Sequence, residues 1–94
     1  MKRNLSLFPV VRRLHFSENF SGTQGKGLRV FHIVINGVMA SPNMDIFDKA
    51  GGGFRAMSEE FAATAVGGFI KIDLIGVKQQ PKINAIAVQQ AFAL

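Results

Sequence analysis

The chain has 94 residues, 48% of them apolar, with no cysteine, tryptophan or tyrosine and a formal net charge of +5. That length holds one domain with a thin core. The lack of cysteine excludes a disulfide framework and a thiolate zinc site, and no apolar run approaches the roughly eighteen residues that a membrane-spanning helix needs.

The basic start, Met1-Lys2-Arg3, precedes an apolar stretch, Leu5 to Val11, as in a signal peptide. However, Pro9 interrupts that stretch, Arg12-Arg13 ends it, and no small-x-small cleavage site follows. It is therefore not read as a signal peptide, and the sequence assigns no compartment. The charge is uneven. Residues 1–30 carry Lys2, Arg3, Arg12, Arg13, Lys26 and Arg29 against one acid, Glu18, while residues 31–94 carry five charges of each sign. A basic arm can bind nucleic acid. Here the charges are scattered and few aromatics interleave, so a solvated start is expected and nucleic acid is not an expected partner.

In chain order, residues 1–9 read as an irregular arm and Val10 to Phe16 as a strand. Arg12 falls on the same face as Val10, Leu14 and Phe16, an inconsistency for an apolar face. Ser17 to Gly27 is rich in turn residues and reads as a long hairpin connection. Its glycines do not make a phosphate loop, because a strand rather than a helix follows. Leu28 to Gly37 is the clearest strand. Phe31, Ile33 and Ile35 alternate with Val30, His32 and Val34, and two largely apolar faces predict a central strand covered on both sides. Asn36-Gly37 closes it with a turn that tolerates positive φ. Ser41-Pro42-Asn43 reads as a second turn, and Asp45 to Ala50 as one helical turn stopped by Gly51-Gly52-Gly53. Phe54 to Ala65 is ambiguous between helix and strand by local propensity. Gly67-Gly68 reads as a turn, Phe69 to Ile75 as a strand with Lys71 and Asp73 on its polar face, Gly76 to Pro81 as a turn, and Ile83 to Val88 as a last strand. Four short strands with regularly spaced turns predict an all-β antiparallel sandwich.

Several blocks, in order and at a consistent spacing, resemble the malectin domain family. They are Arg13-Leu14-His15-Phe16-Ser17-Glu18, Arg29-Val30-Phe31, Ile35-Asn36-Gly37, Asp45-Ile46-Phe47, Ala50-Gly51-Gly52, Gly68-Phe69-Ile70-Lys71-Ile72 and Pro81-Lys82-Ile83-Asn84-Ala85-Ile86. The resemblance runs from about residue 13 to residue 88. It implies a jelly-roll-like β-sandwich that binds carbohydrate without catalysis, and it implies that Phe54 to Ala65 is strand. Members include a lectin for glucosylated N-glycans, receptor-kinase ectodomains and modules attached to glycoside hydrolases. The chain departs from the family in several ways. The blocks are those of the C-terminal half of the domain, so residues 1–11 are expected to be a basic arm unlike the family and residues 12–94 a partial malectin-like domain. Arg12 stands where an inward apolar residue is usual, Val10 where an aromatic is usual, and His32 where an aspartate is usual.

Sugar sites stack aromatic faces on pyranose C–H surfaces and hydrogen-bond the hydroxyls with carboxylates and amides. The resemblance places an aromatic pair at Phe20 and Ser21, of which one aromatic survives, and a ligand-contacting aspartate at Gln79, beside Gln80. Gln79 can still donate and accept but carries no charge. The implied carbohydrate-binding residues are therefore Phe20, Ser21, Gln79 and Gln80. The ligand is expected to be a gluco-oligosaccharide or glycan, bound weakly. The alternative is that Phe20 anchors a loop and Gln79 is an ordinary turn residue, and that the chain is an assembly module completed by a second copy, as a dimer, or by a partner.

Other chemistry is not supported. His15 and His32 lack a clustered carboxylate, so neither a metal site nor an acid–base site is expected. Ser41, His32 and Asp45 lack a nucleophile-elbow context. Glu59 and Glu60 are adjacent, so on a strand they face opposite ways and cannot form a glycosidase pair. Asn4-Leu5-Ser6 and Asn19-Phe20-Ser21 match the glycosylation sequon, which matters only in a secreted eukaryotic protein. No cofactor and no enzymatic activity are expected.

Overall fold

The computed structural model describes residues 7–63 and 69–92, with side chains from 13 to 63 and from 69 to 87. The strands are β1 (Leu7–Ser17), β2 (Val30–Ile35), β3 (Val38–Met44), β4 (Ala56–Ala63), β5 (Ile72–Lys78) and β6 (Ala85–Phe92), with a short helix α1 (Ile46–Ala50) before β4. They form two three-stranded sheets, ordered β4-β1-β6 and β3-β2-β5. Every pairing is antiparallel. The all-β antiparallel sandwich expected from the turn spacing is the observed architecture.

The core lies between the sheets. Leu14 and Phe16 of β1 meet Phe31, Ile33 and Ile35 of β2, with Met44, Ile46 and Ala63 closing the sides; all are buried. Phe16 and Phe31 touch across the layers, with ring centroids 5.9 Å apart and planes tilted by 47°. Burying one such side chain contributes about 1.5–3 kcal/mol. The period-2 pattern of β2 was thus read correctly on its inner face. Its outer face, Val30, His32 and Val34, is only half-buried, so the expected cover on both sides is corrected to cover on one. The sandwich has two layers, and no third layer of described residues lies outside β2.

Other elements differ from their sequence readings for identifiable reasons. β1 begins at Leu7 rather than Val10, so residues 7–9 are strand. Pro9 sits where the ladder to β6 shifts register between Leu7 and Val10, a bulge that accommodates its missing N–H. The side chain of Arg12 lies outside those described, as do Gly67 and Gly68. The connection from β1 to β2 is not a hairpin, because its two strands lie in different sheets. Ser41-Pro42-Asn43 is strand rather than turn. β3 is an edge strand, where proline is tolerated, and two register shifts absorb the irregularity. Asn43 has φ +51° there, and its backbone N–H donates to His32 Nδ1 at 3.0 Å, which gives His32 a structural role. β5 starts later than expected and runs through Gly76 and Val77, because it pairs with β2 from Ile35↔Ile72 to Val30↔Lys78.

The last strand is shifted: β6 runs from Ala85 to Phe92 rather than from Ile83 to Val88, because it pairs with β1 from His15↔Ala85 to Leu7↔Phe92. The strand implied over Phe54 to Ala65 begins at Ala56, and the other readings match. Asn36 and Gly37 have φ of 51° and 79° and close the β2–β3 hairpin. Asp45 caps α1 by accepting from the Asp48 N–H, and Gly51 ends it at φ 78°. Residues 56–63 are strand, with Met57, Glu59, Phe61 and Ala63 turned inward. Glu59 and Glu60 do face opposite ways: Glu59 accepts from Lys49 Nζ at 2.7 Å, and Glu60 pairs with Arg13.

Candidate functional site

Three connections meet at one end of the sandwich: residues 18–29 after β1, residues 45–55 before β4, and residues 79–84 between β5 and β6. Arg29 ties them together. Its Nε donates to Glu18 Oε1 at 2.6 Å, with the two side chains 10% and 1% exposed. Its Nη1 donates to the backbone carbonyl of Gln80, and its Nη2 lies 3.4 Å from Thr23 Oγ1. The residue thus leaves the charge pattern of the basic first third and becomes an internal cross-link between loops. The connection of residues 79–84 is pinned further to β1. The Ser17 N–H donates to Asn84 Oδ1 at 3.0 Å, the Asn84 N–H to the His15 carbonyl at 2.9 Å, and Lys82 Nζ to the Ser17 carbonyl.

On this frame Phe20 is 54% exposed. Its ring lies back over Gly22, where an added Cβ would fall 2.5 Å from Phe20 Cε2. A 3₁₀ turn over Ser21–Thr23 sets that geometry, with the Thr23 N–H donating to the Phe20 carbonyl at 3.1 Å. Ser21 is exposed at the start of the turn. Gln79 and Gln80 are exposed on the other loop, and Gln79 has φ +62°. Phe20 and Ser21 therefore share one end of the sandwich with Gln79 and Gln80, through the Glu18–Arg29–Gln80 link.

A residue that sequence reasoning left out stands at the same end. Phe54 is 71% exposed with φ +55°, and its backbone N–H donates to the Glu18 carbonyl at 2.9 Å. The available signal was an aromatic directly after the triple glycine, which local propensity assigned to the following element.

A separate cleft of about 500 Å³ opens at the opposite end, lined by Ile35, Asn36, Val38, Ala40 and residues 60–63. Its carboxylate, Glu60, is paired with Arg13, and Asn36 Oδ1 accepts from the Lys71 N–H. The other lining side chains are apolar, which suits sugar hydroxyls poorly. Among the described residues, no group of three or more His, Cys, Asp or Glu side chains could hold a metal ion. No helix of the described residues is long and apolar enough to cross a membrane.

A family model described as Malectin domain matches residues 11–86. The chain belongs to the malectin domain family. No curated protein and no solved structure matches the chain. The malectin match spans every block that carried the resemblance, stops two residues short of residue 88, and covers both loops of the candidate site. A malectin domain is a carbohydrate-binding module rather than a member of a catalytic family.

Proposed function

We propose that this malectin-domain chain binds gluco-oligosaccharides weakly through the loop end of its sandwich. Phe20 offers a stacking face, Gln79 offers an amide to hydroxyls, and Ser21 and Gln80 flank them. The observation that supports this most is that an exposed phenyl ring, seated on Gly22, belongs to a loop that a buried arginine cross-links to the Gln79–Gln80 turn. Such a preformed arrangement reduces the ordering cost of binding. The sequence blocks are read as those of the C-terminal half of the domain, and few ring contacts are offered at the site. One phenyl face and one or two amides correspond to an affinity of about millimolar, near 4 kcal/mol. Titration calorimetry with maltose- and nigerose-type sugars tests this. Phe20→Ala is expected to abolish binding, and Gln79→Asp to retain or strengthen it. Micromolar affinity, or binding indifferent to Phe20→Ala, overturns the assignment.

A second reading, an assembly module, draws on the outer face of the β3-β2-β5 sheet. Val34 lies in register with Met39, and Ile75 lies beside His32. Met39, Ile75 and Val77 are 49%, 49% and 50% exposed. A second copy would cover this face, and a two-fold dimer is the simplest closed arrangement.

A further inference from the structure

We propose that Phe54 is a second aromatic face of the loop-end site, taking the neighbouring ring of an oligosaccharide whose first ring sits on Phe20. The proposal rests on the carbohydrate reading of Phe20 above and adds to it a preference for two linked rings over one.

The backbone around Phe54 is built tightly, while its ring stands in solvent. At φ +55° a bulky aromatic occupies a region that glycine or asparagine fills at far less cost. The conformation is held by neighbours. The Phe54 N–H donates to the Glu18 carbonyl at 2.9 Å, and the Gln24 side-chain amide donates to that same carbonyl at 2.9 Å and to the Phe20 carbonyl at 3.0 Å. One amide therefore bridges the loop that carries Phe20 to the carbonyl that anchors Phe54. The far side of that amide presses on Gly53, where an added Cβ would fall 1.5 Å from Gln24 Oε1. Glycine at position 53 leaves room for that side chain.

Among the described residues the Phe54 ring is not part of the core, and it is 71% exposed. A strained position that displays an exposed apolar face fits a contact residue better than a packing residue. The chemistry of the surroundings suits a sugar: two phenyl faces for pyranose C–H surfaces, with the exposed amides of Asn19 and Gln79 on loops of the same end, while the Gln24 amide is committed to the loop carbonyls. Two platforms on adjacent, cross-linked loops call for a ligand of at least two rings.

The test is a nuclear magnetic resonance titration of wild type, Phe20→Ala, Phe54→Ala and Phe54→Gly with glucose, maltose and maltotriose. Wild type is expected to bind maltose roughly three- to tenfold more tightly than glucose. Both Phe54 variants should lose that difference while keeping the glucose affinity, and Phe20→Ala should lose both sugars. The glycine variant removes the backbone strain, so a shared result separates ring loss from misfolding. An unchanged maltose-to-glucose ratio in both Phe54 variants, with binding lost in Phe20→Ala, overturns the Phe54 proposal alone. No binding by wild type, or binding intact in Phe20→Ala, overturns the Phe20 site and this proposal with it.

Discussion

Arg29 and Glu18 form an ion pair at 2.6 Å that is almost wholly removed from solvent, and the same guanidinium holds the carbonyl of Gln80 on another loop. Glu18 Oε2 is buried without a hydrogen bond from any described residue. The two partners are therefore not equivalent. Removing Arg29 strands a carboxylate with neither oxygen satisfied, whereas removing Glu18 leaves a guanidinium that still reaches Gln80 and Thr23. Arg29→Ala is expected to cost about 3–5 kcal/mol, and Glu18→Ala less. The double variant should be less damaged than the sum of the two. Urea denaturation of the three variants checks this; equal single losses below about 1 kcal/mol would show that the pair does not hold the loops.

Phe54→Gly is expected to stabilise the chain by up to about 1 kcal/mol. It relieves a left-handed backbone position while losing only an exposed ring, offset in part by the greater freedom of glycine when unfolded. Thermal or urea melting reads the sign. A destabilised glycine variant would mean that the ring packs against something in solution.

Phe31→Ala should cost about 3–5 kcal/mol, since Phe31 is fully buried between the sheets. Coupling to Phe16 through a double-variant cycle should amount to about 0.5–1.5 kcal/mol. Independent, additive losses would contradict contact between the layers at that pair.

What was legible in the sequence was local and periodic. The alternation of Phe31, Ile33 and Ile35, the Asn36-Gly37 turn and the Asp45-to-Gly51 capped turn each follow from side-chain type within a few positions. The pairing of strands was not legible. Whether β1 runs into β2 as a hairpin or crosses to the other sheet depends on Val10 to Ser17 finding β4 and β6 far along the chain. The true extents of β3 and β5 follow from β2, which needs partners along its length. In the site, Phe20 and Gln79 came from resemblance and were located on adjoining loops. Arg29 was read as surface charge because nothing near it in sequence shows that Glu18, eleven positions earlier, is buried beside it.

The assembly reading predicts self-association through the half-exposed Met39, Ile75 and Val77. Light scattering after size-exclusion chromatography is expected to show a dimer at micromolar concentration. Ile75→Lys should shift it to monomer with little loss of fold, because the position is on the outer face. A wild-type monomer throughout that range would remove the assembly reading.

The most direct test of the proposed loop-end site of this malectin domain is an amide chemical-shift map of the wild-type chain with maltose. Shifts are expected to gather at residues 19–24, 53–55 and 79–82, and to saturate near millimolar sugar, equivalent to about 4 kcal/mol. Shifts confined to the opposite end, around the cleft lined by Ile35, Val38 and Phe61, or no shifts at all, would contradict a loop-end carbohydrate site.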